Sequence, residues 1–450
     1  MKNKLALLSC VAALAAQPSA AAPAQPEGLE RIRHIVVIVL ENHSFDSLYG
    51  RFPGANGLAQ AGPDTSMQGD LDGRLYETLP EVKGDGGKPD LRFPGDLPNE
   101  PFDIGAFASA SQKIPNLTHR FYLHQEQIDG GRMDHYAALS EVGGLVMGHY
   151  DAGLSPMGAF ARQYTVADNF FQAAFGGSFL NHQWLVCACT PRYEGAPAEL
   201  KTQLDANGKA VKERALTPDG YAVNTLQPFA APFDAKAADP ALRLPPQLQP
   251  TIGDRLSAKN VSWAWYSGGW NDAVAGHPDP SFQFHHQPFA YYKNYGPGSK
   301  GRAEHLKDAT DFLRGVERGS LPAVAFYKPI GSLNEHPGYA DLLSGERHVA
   351  DVIEKIQDSP LWGNTAIIVT YDEYGGFWDH VPPPEGDRWG PGTRVPTLII
   401  SPYARHGHVD HTLYDATSIL KFIETRFGLQ PLGPRDEKAG DLLNAFDFRP

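Results

Sequence analysis

The sequence predicts an α/β protein with a mostly parallel central sheet, helices on both faces of that sheet, and loop-rich cap insertions. Four short apolar runs rich in β-branched residues, at 34–40, 322–327, 365–370 and 395–400, are typical of strands buried on both faces. Helical patterns at 303–317, 348–358 and 415–427 separate or follow these runs. The 46 glycines and 38 prolines indicate many ordered loops around this scaffold.

The N-terminus has the pattern of a secretory signal peptide, predicted here as residues 1–22. Lys2 and Lys4 precede an apolar stretch at 5–16, and small residues follow at 19–22. This stretch is too short to cross the roughly 30 Å of a bilayer core, so we expect no stable membrane insertion. A lipoprotein signal ending at Cys10 is the alternative. The protein is therefore expected to be exported, either to the periplasm or beyond it.

The remaining residues, 23–450, are predicted to form a single domain with insertions near 53–103 and 193–250. Both insertions are rich in Gly and Pro and have weak periodicity. Cys187 and Cys189 are only two positions apart, a spacing at which a bridge is awkward, so they are expected to be two small buried thiols.

The charge balance argues against a nucleic-acid partner. The chain has 39 basic and 52 acidic residues, a formal net charge of −13, whereas general nucleic-acid binders carry a basic surplus. An acidic protein can still act on a small phosphorylated substrate, but a local cation must then offset the repulsion between like charges.

Polar residues follow three of the predicted strands. Glu41 and Asn42 come after the first run, Asp372 and Glu373 after the third, and His336 lies in the segment after the second. Ligands bind beyond the carboxyl ends of parallel strands, so these side chains should converge. Their carboxylate and amide oxygens suit one hard divalent cation of the Ca²⁺, Mg²⁺ or Mn²⁺ class. The alternative is a polar rim without a metal.

Ser178 follows two glycines and opens a helix-compatible stretch. Glycines permit a sharp turn, and a helix N-terminus attracts anions, so Ser178 is a candidate nucleophile that a cation could activate. The alternative is an ordinary N-cap serine. The segment lacks the Gly-x-Ser-x-Gly pattern of esterases.

Three histidine contexts are candidates for contact with a phosphoryl group: His119, the adjacent pair His285 and His286, and His336. An imidazolium there would stabilise charge or protonate a leaving group, and activity would then peak below the ordinary histidine pKa of roughly 6.5. The spacing of these histidines fits no zinc motif such as His-Glu-x-x-His.

These segments resemble the bacterial phosphoesterase family of acid phosphatases and phosphatidylcholine-type phospholipases C, a branch of the alkaline-phosphatase-like superfamily. The most specific strings are Glu-Asn-x-Ser-Phe-Asp at 41–46 and Asp-Glu-x-Gly-Gly-x-x-Asp-His-Val-Pro-Pro at 372–383. Other matching segments, in the same order, extend over nearly the whole chain after the signal. One departure is His43, where the family usually has Arg.

The resemblance implies an alkaline-phosphatase-like fold and a set of site residues. It implies that Ser178 is the nucleophile and that His119, His286 and His336 hold the phosphoryl group and serve its leaving group; which member of the pair at 285 and 286 faces the site stays open. The implied metal ligands are Glu41, Asn42, Ser178, Asp372 and Glu373. Asp379 and His380 are flanked by glycines and a Pro-Pro-Pro turn and are interpreted as structural groups that hold the loop. By the resemblance, His406, His408 and His411 lie at a loop and strand boundary and are interpreted as structural or as support behind the site.

The resulting hypothesis is an exported, metal-dependent acid phosphatase that hydrolyses phosphate monoesters through a phosphoserine. The serine at 178 resembles the acid phosphatase branch, since the phospholipase branch commonly has threonine there. The alternatives are a phospholipase C acting on phosphatidylcholine-like diesters and a binding module without turnover. The sequence leaves the oligomeric state, the metal and the natural substrate open.

Overall fold

An eight-stranded sheet forms the centre of the protein in the computed structural model, which describes residues 26–84 and 86–449. Most residues of its central strands are β-branched or apolar, as expected for strands covered on both faces. The strands of this sheet, in chain order, are β1 (His34–Leu40), β2 (Thr165–Ala167), β3 (Trp263–Ser267), β4 (Leu306–Asp308), β5 (Val324–Lys328), β6 (Thr365–Tyr371), β7 (Thr397–Ile400) and β8 (His408–Asp410).

The strand order is β4-β3-β5-β1-β6-β7-β2-β8. All the pairings are parallel except those of β7, which is antiparallel to both β6 and β2. This confirms the predicted α/β class with a mostly parallel sheet. The run at 395–400 does form a buried strand, but that strand runs against its neighbours.

Twelve α-helices occur in the described part of the chain. They are α1 (Phe45–Tyr49), α2 (Pro63–Ser66), α3 (Phe121–Ile128), α4 (Pro156–Gln163), α5 (Ser178–Cys187), α6 (Ile252–Ala258), α7 (Trp270–Val274), α8 (Lys300–His305), α9 (Ala309–Glu317), α10 (Leu342–Gln357), α11 (Thr417–Phe427) and α12 (Pro434–Lys438).

The expectation of one continuous helix over 303–317 was wrong. The chain leaves α8 at His305, forms edge strand β4, and restarts as α9. Asp308 causes the restart, because its carboxylate accepts a hydrogen bond from Thr310 N while Asp311 bonds back to the N-cap backbone. Helical periodicity alone does not reveal such a break.

The two predicted insertions contain short elements outside the central sheet. Phe102–Asp103, at the end of the first, pairs with Gly148–His149. Within the second, Gln203–Leu204 pairs with Ala210–Lys212, and Gln227–Pro228 pairs with Arg243–Leu244. A further small pair joins Phe170–Phe171 to Tyr414–Asp415.

Two sequence expectations outside the sheet have different outcomes. Cys187 and Cys189 form a disulfide, with their Cα atoms 5.1 Å apart, so the expectation of two free thiols was wrong. Ala188, between them, is in the left-handed conformation that ends α5 and brings the two cysteines together.

The predicted signal peptide and Cys10 lie outside the described residues. Among the helices that are described, none is long and apolar enough to cross a membrane.

The register of the central strands determines where the polar segments meet. β1 lies between β5 and β6, parallel to both, and Leu40 pairs with Tyr371 at the ends of their strands. The residues that follow β1 and β6 therefore emerge side by side, at the same edge as the segment that follows β5.

Candidate active site

A cavity of about 820 Å³ lies at this edge of the sheet. Its inner wall combines Glu41, His119, Ser178, His285 and His336, which come from five separate segments. The fold thus brings together the polar strand ends and the predicted serine. This is where ligands are expected to bind in parallel sheets, beyond the carboxyl ends of the strands.

Ser178 is the first residue of α5, and Gly177 is its N-cap. The serine is therefore not the N-cap, which was the alternative interpretation of this segment. Its hydroxyl donates toward Glu373 Oε1 at 3.2 Å and lies 3.4 Å from Asn42 Oδ1. The hydroxyl thus contacts the ends of β1 and β6 at the positive end of a ten-residue helix.

Glycine at 177 is required by the close approach of His119. A Cβ atom at this position would lie 2.8 Å from the His119 carbonyl oxygen and 3.0 Å from its ring. The preceding Gly176 has φ +83°, and a Cβ there would lie 2.6 Å from Phe121 N. The two glycines therefore let α5 begin directly against the segment that carries His119.

Glu41 is the centre of a buried cluster. Its Oε1 lies 2.5 Å from His286 Nε2 and 2.8 Å from Lys328 Nζ. Its Oε2 accepts hydrogen bonds from Asn334 Nδ2 and the Tyr339 hydroxyl, both at 2.8 Å. Burial raises the pKa of Glu41, but the charges of His286 and Lys328 outweigh burial and hold this pKa well below its ordinary value.

Asp372 and Glu373 lie in the same buried region, but few positive charges offset their carboxylates. Glu373 accepts from Ser178 Oγ through Oε1 and from Gly375 N at 2.6 Å through Oε2. Burial, followed by nearby charges, raises the pKa of both carboxyls well above their ordinary values despite Lys328. The region therefore has too little positive charge for three ionised carboxylates.

His119 lies between this acidic region and the cavity. Its Nδ1 is 2.6 Å from the Leu117 carbonyl, so Nδ1 carries the proton, and Nε2 is 3.4 Å from both Asn42 Nδ2 and Glu373 Oε1. Burial lowers the pKa of His119, which keeps the ring neutral near pH 7.

The adjacent histidines at 285 and 286 occupy different positions. His285 lines the cavity, whereas His286 is turned toward Glu41 and lies outside the cavity wall. The short 3₁₀ turn Phe284–His286 separates the directions of the two rings, whose planes are 83° apart. His285 is therefore the member of the pair that a ligand in the cavity would meet.

His336 follows the 3₁₀ turn Gly331–Leu333 after β5. Its Nδ1 donates to the Pro337 carbonyl at 2.5 Å, and its ring stacks on Tyr339 with the centroids 4.3 Å apart. Burial lowers the pKa of His336 to about 4. The ring is therefore neutral at mildly acidic pH in the ligand-free protein.

Sequence reasoning missed two residues of this site. Lys328 is the last residue of β5 and is fully buried, and the same strand-end rule that found Glu41 could have found it. His182 lies four residues after Ser178, on the same face of α5, and donates from Nδ1 to the Ser178 carbonyl at 2.8 Å. Lys328 thus places one amino group among the carboxylates of this site, 2.8 Å from Glu41 Oε1.

The predicted cation fits the groups that are present. Asp372 Oδ2 and His182 Nε2 are buried and have no hydrogen-bond partner among the described residues. Glu41, His182 and Asp372 each offer a ligand atom, and these atoms lie within 4.8 Å of one another; Glu41, His285 and His286 form a second such group. A divalent cation would use these unpaired atoms and compensate the carboxylates.

Asp379 and His380, interpreted from the sequence as structural, belong to a separate buried cluster. We call it the Arg394 cluster: Asp46, Asp379, His380 and Arg394. Arg394 Nε donates to Asp379 at 2.9 Å and its NH2 group donates to Asp46 at 3.1 Å. His380 Nδ1 lies 2.6 Å from Asp46 Oδ2. The cluster ties the loop after β1 to the loop after β6.

The remaining histidines, at 406, 408 and 411, form no common cluster in the described structure. His411 Nδ1 contacts Asp168 Oδ2 at 2.8 Å, and the ring of His406 lies 5.5 Å from that of Tyr164. His408 is part of β8, at the edge of the sheet. None of the three lines the cavity that contains Ser178.

Comparison with known proteins adds the following similarities. The sequence profile of the Phosphoesterase family matches residues 32–430. The chain is 25% identical to the non-hemolytic phospholipase C of Pseudomonas aeruginosa, over 93% of the chain and 58% of that protein. It is 26% identical to phospholipase C B of Mycobacterium tuberculosis, over 94% of the chain and 79% of that protein. The chain thus spans less than two thirds of the Pseudomonas relative.

Among solved structures, the chain is similar to a protein in the alkaline phosphatase superfamily from Vibrio parahaemolyticus. The TM-score is 0.34 and the sequence identity is 13%, over 65% of each chain.

Proposed function

This chain belongs to the Phosphoesterase family, as its motifs predicted, and from that premise we propose that it is a metal-dependent acid phosphatase. Its substrates are phosphate monoesters, hydrolysed through a covalent phosphoserine at Ser178. The observation that carries the proposal is the position of the Ser178 hydroxyl, 3.2 Å from Glu373 and 3.4 Å from Asn42, in the wall of a cavity and at a helix N-terminus.

The residues that would hold the cation are the predicted oxygen ligands, Glu41, Asn42, Ser178, Asp372 and Glu373, together with His182, which offers a ligand atom within 4.8 Å of those of Glu41 and Asp372. When bound, a divalent cation supplies positive charge that favours the serine alkoxide and polarises the phosphoryl group. Lys328, through its contact with Glu41 at 2.8 Å, supplies part of the same compensation permanently.

The phosphoryl group is bound by the inner wall of the cavity. Free N–H groups at the start of α5 face an anion there, since the first turn of a helix leaves its donors unpaired. His119, His285 and His336 surround the same space. Positioning of phosphorus for in-line attack by Ser178 Oγ, together with these donors, supplies most of the rate.

The proton needed for catalysis enters with the substrate. The Nδ1 atoms of His119 and His336 are both committed to backbone carbonyls, so the neutral rings offer only a lone pair at Nε2. A phosphate monoester has a second pKa near 6 and below it carries one P–OH group, which can donate to such a lone pair. The histidine then returns this proton to the departing alcohol. Turnover should therefore decline above about pH 6, the pH at which the substrate loses its proton.

Ser178 attacks phosphorus as its own proton passes toward its carboxylate acceptor, Glu373 Oε1. The ester P–O bond breaks and the alcohol leaves with the proton from the histidine. Water then attacks the phosphoserine and the P–Oγ bond breaks. The proton held by Glu373 returns to Ser178 Oγ, and inorganic phosphate leaves with both protons of the water.

Phospholipase C activity is the second candidate, and the specific observation in its favour is that the relatives are named as phospholipases C. The same serine and cation could cleave a phosphodiester. A diester has no second ionisation near pH 6, so its turnover would lack the decline expected for monoesters.

The test uses purified enzyme with an aryl phosphate and with phosphatidylcholine vesicles, from pH 4 to pH 9. The proposal predicts a larger kcat/KM for the aryl phosphate and a decline in turnover above pH 6. Preference for phosphatidylcholine would select the second candidate. Retention of full activity after exhaustive chelation would contradict the role of the cation.

A further inference from the structure

The outer half of the cavity is built by the second insertion, residues 193–250, rather than by the sheet. At about 820 Å³ the cavity is much larger than one phosphate group and has room for a substantial leaving group. Three short segments of the insertion line it, at 199–200, 213–215 and 223–226.

This part of the insertion is attached firmly to the segment that carries His119. Glu213 accepts hydrogen bonds from Tyr122 N at 2.9 Å and Leu123 N at 3.1 Å, and Asn224 accepts one from Phe121 N at 3.2 Å. Asn224 Nδ2 also donates to Glu213 at 2.9 Å. The carboxylate of Glu213 therefore satisfies unpaired N–H groups and offsets the partial positive charge at the N-terminus of α3. These bonds fix the position of the insertion relative to the inner wall of the cavity.

Two arginines line this cavity from different segments of the chain. Arg120 follows His119, and Arg214 lies on the insertion, and both line the cavity. The backbone of Arg214 is fixed, since its N–H donates to Thr202 Oγ1 at 3.0 Å and its carbonyl accepts from Asn224 at 2.8 Å. Neither guanidinium has a hydrogen-bond or ion-pair partner among the described residues.

One carboxylate opposes these arginines. Glu199 is exposed at the same cavity and, like them, is unpaired within the described structure. Glu213 does not oppose them in the same way, because its oxygens already accept three hydrogen bonds. The outer half of the cavity therefore has two arginines and one carboxylate without partners in the described structure, besides the carboxylate of Glu213, which is hydrogen-bonded to neutral N–H groups.

We propose that this outer half is a subsite for a second anionic group on the substrate. The substrate class is then phosphate monoesters whose alcohol carries its own carboxylate or phosphate. The planar donor fork of arginine suits both anions. A polyanion approaching a protein of net charge −13 also gains from two local cations. The reaction at this site rests on the proposed function, whereas the binding preference does not.

Binding to the Ser178→Ala variant tests the subsite without turnover. The probes are phenyl phosphate, 4-carboxyphenyl phosphate and 1,4-phenylene bisphosphate, with dissociation constants from calorimetry at low salt. We expect the two probes with a second anionic group to bind about fivefold more tightly than phenyl phosphate. The factor is modest because these arginines are exposed. The advantage should shrink at 0.5 M salt. The carboxylate and bisphosphate probes show separately which anion the subsite prefers.

Charge variants in the same background define the residues responsible. Arg120→Gln and Arg214→Gln should each reduce the advantage by about twofold, and Glu199→Gln should increase it by a similar factor. Arg318→Gln is the matched control, because Arg318 is exposed at the C-terminal end of α9 and does not line the cavity. Opposite effects of the arginine and glutamate variants cannot arise from misfolding.

Steady-state kinetics of the wild-type enzyme on the same probes separates the two proposals. Equal binding of all three probes, or an advantage unaffected by the three charge variants, would overturn the subsite. Turnover of phenyl phosphate together with equal binding would overturn the subsite alone. No turnover of any probe, with the binding advantage and its charge dependence intact, would overturn the proposed function and support the subsite.

Discussion

The candidate active site and the Arg394 cluster are both buried groups of charges beside the same strands, but their charges are balanced differently. In the Arg394 cluster, Arg394 donates to Asp46 and Asp379, and His380 lies against Asp46. The Asp46 hydrogen bond and charge raise the pKa of His380 above its ordinary value despite burial. Two carboxylates therefore meet two cationic groups.

In the candidate site, three carboxylates lie near one lysine, Lys328, and burial lowers the pKa of His119 and His336. Asp372 Oδ2 and His182 Nε2 remain without hydrogen bonds in the described structure. Burial of charge is thus common to both clusters, whereas only the candidate site has unused ligand atoms and a deficit of positive charge. The balanced cluster stabilises loops, and the unbalanced one is suited to bind a cation and an anion.

The largest expected effect is on turnover, which should depend on the candidate site. Ser178→Ala removes the nucleophile and should lower kcat by at least about 10³-fold while phosphate still binds, because the helix N-terminus and histidines remain. Ser299→Ala is the control, since Ser299 is an ordinary N-cap that accepts from Arg302 N at 3.1 Å. It should cost about 1 kcal/mol of stability and leave kcat unchanged. A Ser178→Ala enzyme with normal kcat would remove Ser178 from the mechanism.

Neutralising one charge in each cluster should change stability in opposite directions. Arg394→Met leaves Asp46 and Asp379 buried without their cation and should lower the free energy of unfolding by about 3–5 kcal/mol. Asp372→Asn should raise it in metal-free protein at pH 7, because burial raises the pKa of Asp372 and its ionised form is therefore destabilising.

The same Asp372→Asn variant should also bind less divalent metal, measured by mass spectrometry of the metal content, and turn over more slowly. Chemical denaturation of both variants and of the wild type measures the stability changes. A large loss of stability in metal-free Asp372→Asn would show that the candidate site is balanced in the same way as the Arg394 cluster.

One histidine from each cluster, His336 in the candidate site and His380 in the Arg394 cluster, should give opposite pH dependences of stability. The pKa of His336 is about 4 in the folded protein and 6.5 in its ordinary environment, so the unfolded chain takes up a proton first as the pH falls. Wild type should therefore lose up to about 3 kcal/mol of stability relative to His336→Gln between pH 6.5 and pH 4. Denaturation of metal-free protein across this range measures the difference, and parallel curves would contradict the neutral ring.

For His380 the sign is reversed and the effect is smaller. Its pKa is raised in the folded protein, so the protonated ring stabilises the fold at pH values below 6.5, and this contribution is lost as the pH rises through the folded pKa. The stability advantage of wild type over His380→Gln should therefore be larger at pH 6 than at pH 9. An advantage that grows with pH would contradict the ion pair with Asp46.

The sequence was informative where function depends on local pattern and strand topology. The buried runs at β1, β5 and β6 could be recognised from their composition, and the rule for parallel strand ends then predicted that Glu41, Asn42, Asp372 and Glu373 would meet. The two glycines before Ser178 indicated a turn into a helix, and α5 begins at Ser178.

What the sequence did not show depends on contacts between distant loops. The strand-end rule could have found Lys328, but only the fold shows that its partner is Glu41. Whether His285 or His286 faces the cavity depends on the direction of a 3₁₀ turn, which composition does not encode. The contact between the second insertion and α3 joins Glu213 to residues about 90 positions away. The low pKa of His336 is likewise a consequence of burial, which no motif reveals.

Trapping the covalent intermediate tests the central claim most directly. Enzyme mixed with an aryl phosphate at pH 5 is quenched in acid within one turnover, digested and analysed by mass spectrometry. We predict one added phosphoryl group on the peptide that contains Ser178, absent from Ser178→Ala. Phosphorylation of any other residue, or bound substrate that turns over without a phosphorylated peptide, would contradict the account.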